Sequence, residues 1–345
     1  ASAQADRGDQ ACPQYRPAAV CRRFKLGERL AVFFAKMMTR PLVVLLSAVV
    51  SFLLFGAAGA LGAGAVLVNL FTPLPAAVLG MRLGPVWALA TVGLTAAAVL
   101  ATSGGIAVLL FAVQYGVPAV LLPWLLTRGV HWDRAIFMTL GLVLALGVVA
   151  LVGVSGSGRS AMDLVDSQIN SEIDQTVSMM EEFAGTEQTP ENAEAFRQMA
   201  ESMSTFMHYA YPGMLVAVGG FLQLVTVGLL ALAVRPGKLP GPVFARWRSP
   251  ELLIWVLIAS GFTVFLGAGV FQNVAINLLV ILLPVYFLQG LAVAEHFLAR
   301  KEWSPVLRGF SYLVLILVNP LPMIVTGVGI FDLWVDFRKP RLNKN

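Results

Sequence analysis

The segments PLPAAVLG (residues 73–80) and PLPMIVTG (residues 320–327) share one frame: Pro-Leu-Pro, four further residues and a glycine. Both lie inside long apolar runs. Proline removes a backbone donor and clashes with the preceding helical turn, so each frame predicts a helix break. The residues that predict these breaks are Pro73, Pro75, Pro320 and Pro322. The composition of the whole chain indicates whether water or lipid surrounds the broken helices.

The composition is that of an integral membrane protein. Of 345 residues, 58% are hydrophobic and 12% are charged, and the mean hydropathy is +0.78. Soluble domains carry about 25% charged residues. We therefore predict an all-α, polytopic transmembrane bundle whose first partner is the lipid bilayer. No basic patch interleaved with aromatic residues predicts a nucleic-acid partner.

The number of spans follows from the length of the apolar runs, because a spanning helix needs about 20 apolar residues. Eight runs are predicted to span: 41–58, 61–80, 84–102, 105–127, 135–154, 211–234, 251–271 and 273–297. The run 309–335 contains the second break. It is predicted to bend into half-helices at about 309–319 and 323–335, and a single kinked span is the alternative.

Charge predicts the orientation. Residues 156–208 hold ten acidic and two basic residues, a net charge of −8, against +13 for the rest of the chain. Basic loops stay in the cytoplasm. The N-terminus and basic loops are therefore predicted to be cytoplasmic, in a bacterial inner membrane. A bent C-terminal pair would return the basic tail, 337–345, to the same side.

The polar segments define the remaining domains. Residues 1–40 are predicted to form a disordered cytoplasmic tail and an amphipathic basic helix, followed by spans one to five over 41–154. Residues 155–210 are predicted to form an acidic extracytoplasmic helical hairpin, whose second helix begins at Thr189-Pro190. Residues 211–336 hold the remaining spans and the bent segment. The hairpin is either a docking surface or lid, or a solvated connection.

Small residues four apart predict close helix packing after the first span. The segment GAAGALGAGA (56–65) places Gly56, Ala60 and Gly64 at this spacing. Small side chains let helix backbones approach in lipid. The packing is either internal, between spans one and two, or with a separate membrane subunit.

This tract, the segment NLFTPLPAAVLGMRLGP and the ending GVGIFDLWVDFRKPR resemble the YybS-like predicted membrane proteins of bacteria, over roughly residues 40–340. That family is remotely similar to the substrate-binding S components of energy-coupling-factor transporters. The resemblance implies a transporter-like helical fold, and it implies no substrate. S components have about six spans and no acidic hairpin, so docking onto a shared energising module does not follow.

Polar side chains inside the spans are the candidates for a binding site, because in lipid they face the bundle interior. The full set is Asn69, Thr72, Gln114, Tyr115, Gln223, Gln272, Asn273, Asn277, Gln289, Glu295, Asn319 and Asp332. Most are neutral amides, which bind an uncharged polar solute or bridge helices. Amides also lie beside both proline breaks. The predicted ligand-binding residues are Asn69, Gln114, Tyr115, Gln272, Asn273, Asn277 and Asn319.

The charged residues at the span ends predict anchoring. Glu295 and His296 could relay protons, but a pair between Glu295 and Arg300 at the interface is favoured. Asp332 and Asp336 are predicted to anchor the interface with local ion pairs. No catalytic or metal motif is present, and GVSG at 153–156 lacks a histidine in mid-membrane. We expect no enzyme activity, cofactor or metal.

Two functions remain open. The first is a carrier of a small polar solute, or the substrate-binding subunit of a carrier. The second is a scaffold without a substrate, whose acidic hairpin docks an extracytoplasmic protein partner.

Overall fold

The computed structural model describes residues 40–57, 68–155, 170–171, 190–234, 239–301 and 303–338. Within these ranges the regular elements are helical and there is no strand. The predicted amphipathic helix, the C-terminal tail after residue 338, Ala60, Gly64 and nearly all of the first hairpin helix (162–184) lie outside the described residues. Predictions about them stay predictions.

Ten α-helices follow along the described chain. They are α1 Arg40–Gly56, α2 Leu74–Leu83, α3 Pro85–Phe111, α4 Val117–Thr127, α5 Trp132–Ser155, α6 Pro190–Val234, α7 Leu252–Leu266, α8 Val270–Arg300, α9 Pro305–Leu317 and α10 Leu321–Val335. A π-helical turn, Ala112–Gly116, joins α3 to α4, and a 3-10 turn, Phe244–Arg246, precedes α7.

Four helical segments are long and apolar enough to cross a membrane: Pro85–Thr127, Trp132–Ala150, Thr205–Ala233 and Val270–Arg300. The bent pair α9 and α10 makes a fifth if it counts as one span, and α1, α2 and α7 are shorter apolar helices. The prediction of a helical membrane protein is confirmed.

The segment Pro85–Thr127 reverses direction at Gly104, whose φ of 82° and ψ of −178° are non-helical. A Cβ on Gly116 would lie 2.9 Å from Cγ1 of Val92. A straight helix at about 1.5 Å per residue would hold these residues roughly 36 Å apart. The segment therefore folds back into two arms, which correspond to the predicted runs 84–102 and 105–127. Glycine permits the positive φ at this turn.

Both proline frames break a helix, as predicted. Residues 71–73 form a turn and α2 begins at Leu74, directly after Pro73. At the second frame α9 ends at Leu317 and α10 begins at Leu321, with a bend of 100° between them. The turn separates α2 from residues 68–69, and α2 continues to Leu83. The span predicted over 61–80 stays a prediction, because residues 61–67 lie outside the described residues.

Helix α6 is a single helix of 45 residues that begins at Pro190, where the sequence predicted a start. It continues through the boundary predicted between the hairpin and the sixth span at residues 210–211. Pro212 lies inside it. The second hairpin helix and the following span are therefore one continuous helix.

One end of the bundle gathers the basic residues. The Arg40 guanidinium lies 5.9 Å from the Trp87 ring centroid, and Arg82 donates to the carbonyl of Ala233 over 2.7 Å. The first amide of α5, at Trp132, donates to Pro240 just after α6. We call this end, where residues 40, 82–87, 128–134 and 239–248 meet, the basic end. The loops that the charge pattern assigns to one side of the membrane therefore share one end of the bundle.

Two apolar clusters hold the helices together. The first joins α2, α4, α5 and α6 and includes Ala77, Leu122, Ala135 and Val227. The second joins α7 and α8 and includes Ile254, Leu257, Leu282 and Tyr286. Large apolar side chains also cover the outside of the bundle, as at Phe265, which is 88% exposed. Such a surface suits lipid and not water.

Candidate functional site

Three polar side chains are fully buried on α6 or on elements next to it, since α2 and α5 each pack against α6. Thr139 is 0% exposed, and Thr72 and Gln223 are each 1% exposed. Each lies four or five residues from a member of the first apolar cluster: Thr72 from Ala77, Thr139 from Ala135 and Gln223 from Val227.

The directions of the helices place the three side chains on the same side of the first apolar cluster. Helix α2 runs parallel to α6, because Arg82 near the end of α2 bonds to Ala233 near the end of α6. Helix α5 runs antiparallel to α6, because Leu140 packs against Gly219 whereas Ala135 packs near Val227. Thr72, Thr139 and Gln223 are therefore each displaced from the first apolar cluster in the direction away from the basic end. We call Thr72, Thr139 and Gln223 the polar layer.

The polar layer has unused hydrogen-bonding capacity. Thr72 Oγ1, Thr139 Oγ1 and Gln223 Oε1 are buried and have no partner among the described residues. Leaving such a group unpaired costs about 1–3 kcal/mol. Two hydroxyl groups, which can donate and accept, and an amide oxygen, which accepts, therefore face the interior without partners.

The first proline break lies beside this layer. Thr72 directly precedes Pro73, and its carbonyl accepts from Ser51 Oγ over 3.2 Å, which ties α1 to the break. The predicted ligand residue Asn69 lies in the same turn region, and its Oδ1 is also buried without a partner among the described residues. A fourth unpartnered oxygen thus lies in the turn region of the first proline break.

Other predicted ligand residues do not join this layer. Gln114 and Asn319 are exposed on the outside of the described bundle. Tyr115 belongs to an aromatic group, with its ring 6.4 Å from Phe111 and 5.9 Å from Phe55. Gln114 and Asn319 are thus outside the polar layer, and the ligand-binding role predicted for these three residues stays a prediction.

Asn277 bridges two helices. Its Oδ1 accepts from the amide of Gly213 over 2.6 Å, and its Nδ2 donates to the carbonyl of Tyr209 over 2.7 Å. In a regular helix those two backbone groups would bond to each other, since they are four residues apart. The side chain of Asn277 therefore replaces one backbone hydrogen bond beside Pro212. A Cβ on Gly213 would lie 2.7 Å from the Asn277 carbonyl, so only glycine allows this approach.

Gln272 and Asn273 serve the turn between α7 and α8. Gln272 Nε2 donates to the carbonyl of Val264 near the end of α7 over 3.2 Å. The backbone of Asn273 accepts from Asn277 Nδ2 over 2.8 Å. Helix ends leave carbonyls without intrahelical partners, and a side-chain amide satisfies one here. The bridging interpretation, which the sequence left open, fits Gln272 and Asn277.

A second polar group lies at the basic end, around Asp332. This carboxylate is 0% exposed, and its Oδ2 accepts from Arg338 over 2.7 Å and from Gln289 over 3.4 Å. Gln289 Oε1 in turn accepts from the Ser249 hydroxyl over 2.5 Å. The local ion pair predicted for Asp332 is confirmed, but its complete burial was not predicted.

Around this buried carboxylate lies a cleft of about 580 Å³ lined by Arg246, Arg248, His296, Arg300 and Arg338. Arg248 forms an ion pair with Asp336 and lies 4.0 Å from Asp332. Arg338 also donates to the carbonyls of Ala245 and Trp247. These contacts bring residue 338 back to the basic end. Among the described residues no group of three or more His, Cys, Asp or Glu could hold a metal ion.

Glu295 does not pair with Arg300. Its carboxylate accepts from Arg308 over 3.3 Å and from the Tyr312 hydroxyl over 2.7 Å. Residues five apart on a helix are separated by a rotation of about 500°, which leaves them about 140° apart around the helix axis. The Arg300 side chain therefore points well away from Glu295. The predicted pair is wrong, and Glu295 instead joins α8 to α9.

Close contact between α8 and α10 depends on two glycines. A Cβ on Gly290 would overlap the carbonyl of Val325, and one on Gly329 would overlap the carbonyl of Tyr286. By contrast, no described atom lies within 4 Å of the Cβ position at Gly56. The close backbone approach predicted at 56–64 stays a prediction, because Ala60 and Gly64 lie outside the described residues.

Long apolar helices around a buried polar layer define a multispanning helical membrane protein. The chain belongs to the family Predicted membrane protein (DUF2232), whose model matches residues 48–333. No curated protein and no solved structure matches the chain.

Gln223 is one of the many polar residues that the sequence predicts inside spans, and Thr139 is not among them. Gln223 is unusual as a long polar side chain in the middle of an apolar run, and that signal was available. Thr139 carries no such signal, because threonine in a transmembrane helix ordinarily bonds to its own backbone.

Proposed function

We propose that the protein binds a small, polar, uncharged solute at the polar layer, and that it is a carrier or the substrate-binding subunit of one. The observation that carries the proposal is the set of three unpartnered oxygens on fully buried side chains. The layer contains hydroxyl groups and an amide. A charged solute would lack a counter-charge there, which is costly in lipid.

The contrast with Asn277 favours a solute over simple bridging. Asn277 satisfies both ends of its amide within the bundle. Thr226, one turn from Gln223 on α6 and also 0% exposed, bonds to its own helix over 2.8 Å. Asn277 and Thr226 thus show that buried polar side chains on or against α6 can be satisfied within the bundle. The three oxygens of the layer would be satisfied by a bound solute.

We infer a bacterial inner-membrane protein with a cytoplasmic basic end and about eight spans. The grouping of the arginines at one end supports this orientation, since basic loops stay in the cytoplasm. The fold-back at Gly104 supports counting Pro85–Thr127 as two spans. The resemblance to YybS-like proteins, and through them to S components, supports a role in solute binding.

The test compares two buried threonines of the full chain. The wild type, Thr139→Val and Thr226→Val are purified from the native membrane in mild detergent, and small molecules released from each are identified by mass spectrometry. We expect wild type and Thr226→Val to release the same polar compound. Thr139→Val should release little of it, because valine keeps the shape and removes the hydroxyl.

Stability separates an occupied layer from an empty one. If the layer is empty, Thr139→Val removes an unpaired buried hydroxyl and raises the melting temperature, and no compound is released from any variant. That pair of results would overturn the proposal. A stoichiometric protein partner in the same preparation would support the scaffold function instead.

A further inference from the structure

Among the described residues, the side chains that line the cleft at the basic end are all basic. Arg246 and Arg248 come from the segment before α7, and His296 and Arg300 come from the last turns of α8. Arg338 follows α10. Three separate parts of the chain thus bring cations to one concave surface of about 580 Å³, a volume suited to a small ligand.

The cleft holds more positive than negative charge. Four guanidinium groups line it, and the carboxylates that pair with them are those of Asp332 and Asp336, which leaves two positive charges. Within the described ranges, Arg246 and Arg300 are in no ion pair. Cations gathered in a concave site attract and concentrate anions.

One arginine of the cleft is fixed before any ligand arrives. The Arg338 side chain is 6% exposed, and its two terminal nitrogens are held by Asp332 and by the carbonyls of Ala245 and Trp247. Its Nε is buried and has no partner among the described residues. A guanidinium held in this way has a defined direction, which reduces the ordering cost of binding.

We propose that this cleft binds a phosphate group. Arginine forks match phosphate oxygens with paired hydrogen bonds, and two or more forks around one volume recognise a tetrahedral, multiply charged anion. The phosphate belongs either to the headgroup of an anionic phospholipid, as in basic pockets between transmembrane helices, or to a soluble phosphorylated molecule. This site is separate from the polar layer, so either proposal can fail without the other.

The experiment uses the full chain in nanodiscs of neutral phosphatidylcholine. In one arm, inorganic pyrophosphate is titrated and its dissociation constant is measured by calorimetry. In the other arm, native mass spectrometry counts the phosphatidylglycerol retained from discs that contain both lipids. The variants are Arg246→Gln, Arg300→Gln and their combination. Arg134→Gln is the control, because Arg134 is exposed on α5 and does not line the cleft.

We expect saturable binding in at least one arm. Each cleft variant should weaken it roughly tenfold, the usual cost of a charge-assisted hydrogen bond, and Arg134→Gln should change it less than about twofold. Binding in the pyrophosphate arm alone identifies a soluble ligand, and retention of phosphatidylglycerol alone identifies a lipid. Binding in neither arm, or equal binding by the wild type and both single variants, would overturn the proposal.

Discussion

The break at Pro73 is buried, whereas the break at Pro320 is exposed. Pro73 follows a threonine that is 1% exposed, and it lies beside side-chain oxygens that have no partner among the described residues. Pro320 follows the exposed Asn319 at a corner of 100°, and beyond it α10 packs tightly across α8. The first break leaves polar groups unsatisfied inside the bundle. The second directs a helix into the ionic network of Asp332, Arg338 and Gln289.

The comparison shows that a shared sequence frame determines the local helix break, but not the role that the break has in the protein. Proline interrupts the helix in both places for the same steric reason. What differs is the surroundings, because Pro73 is buried in the bundle and Pro320 is exposed. Substitutions that act on one region and spare the other test this division.

The largest expected effect is at the ionic network beyond the second break. Asp332→Leu removes the buried partner of Arg338 and leaves that charge uncompensated, which costs about 3–5 kcal/mol. Asp332→Asn keeps an acceptor and should lose less. Thermal unfolding followed by circular dichroism in detergent measures both. If Asp332→Leu has the same melting temperature as the wild type, the network does not stabilise the position of α10.

The second effect concerns the helix contact beyond the same break. Gly329→Ala places a methyl group against the carbonyl of Tyr286, and overpacking of this kind costs about 1–3 kcal/mol. Gly327→Ala is the matched control on the same helix, because its Cβ position has no atom within 4 Å. Equal melting temperatures for the two variants would contradict the close contact between α8 and α10.

The smallest effect is expected beside the first break. A Cβ on Gly80 would lie 3.0 Å from Cβ of Pro123 and 3.2 Å from Cβ of Ala88, so small shifts accommodate Gly80→Ala at a cost of about 1 kcal/mol. Gly93→Ala, with open space around its Cβ position, should be close to neutral. If Gly80→Ala lost more stability than Gly329→Ala, the order expected from the comparison would be reversed.

Much of the fold was predictable from local chemistry. The proline breaks, the start of α6 at Pro190 and the division of the long segment near Gly104 all depend on backbone properties of single residues. The grouping of arginines at one end followed from the charge pattern. Such features need no knowledge of which helices meet.

The candidate site was less predictable, because it depends on contacts between helices. An asparagine in a span looks the same whether it bridges helices, as Asn277 does, or binds a solute. Thr139 is distinguished by a buried hydroxyl that has no hydrogen-bond partner among the described residues. The burial of Asp332, one turn from the end of α10, depends on the path that α10 takes across α8, and no periodicity in the sequence specifies that path.

The length of α6 allows the orientation of the protein in the membrane to be measured. Its 45 residues extend about 67 Å, more than twice the roughly 30 Å of a hydrocarbon core. The apolar part runs over Thr205–Ala233, so the first turns of the helix stand clear of the lipid with Gln198 exposed on them. A maleimide too large to enter the bilayer would label a cysteine at position 198 from one side of the membrane only. That side fixes the orientation of the polar layer and the basic cleft together.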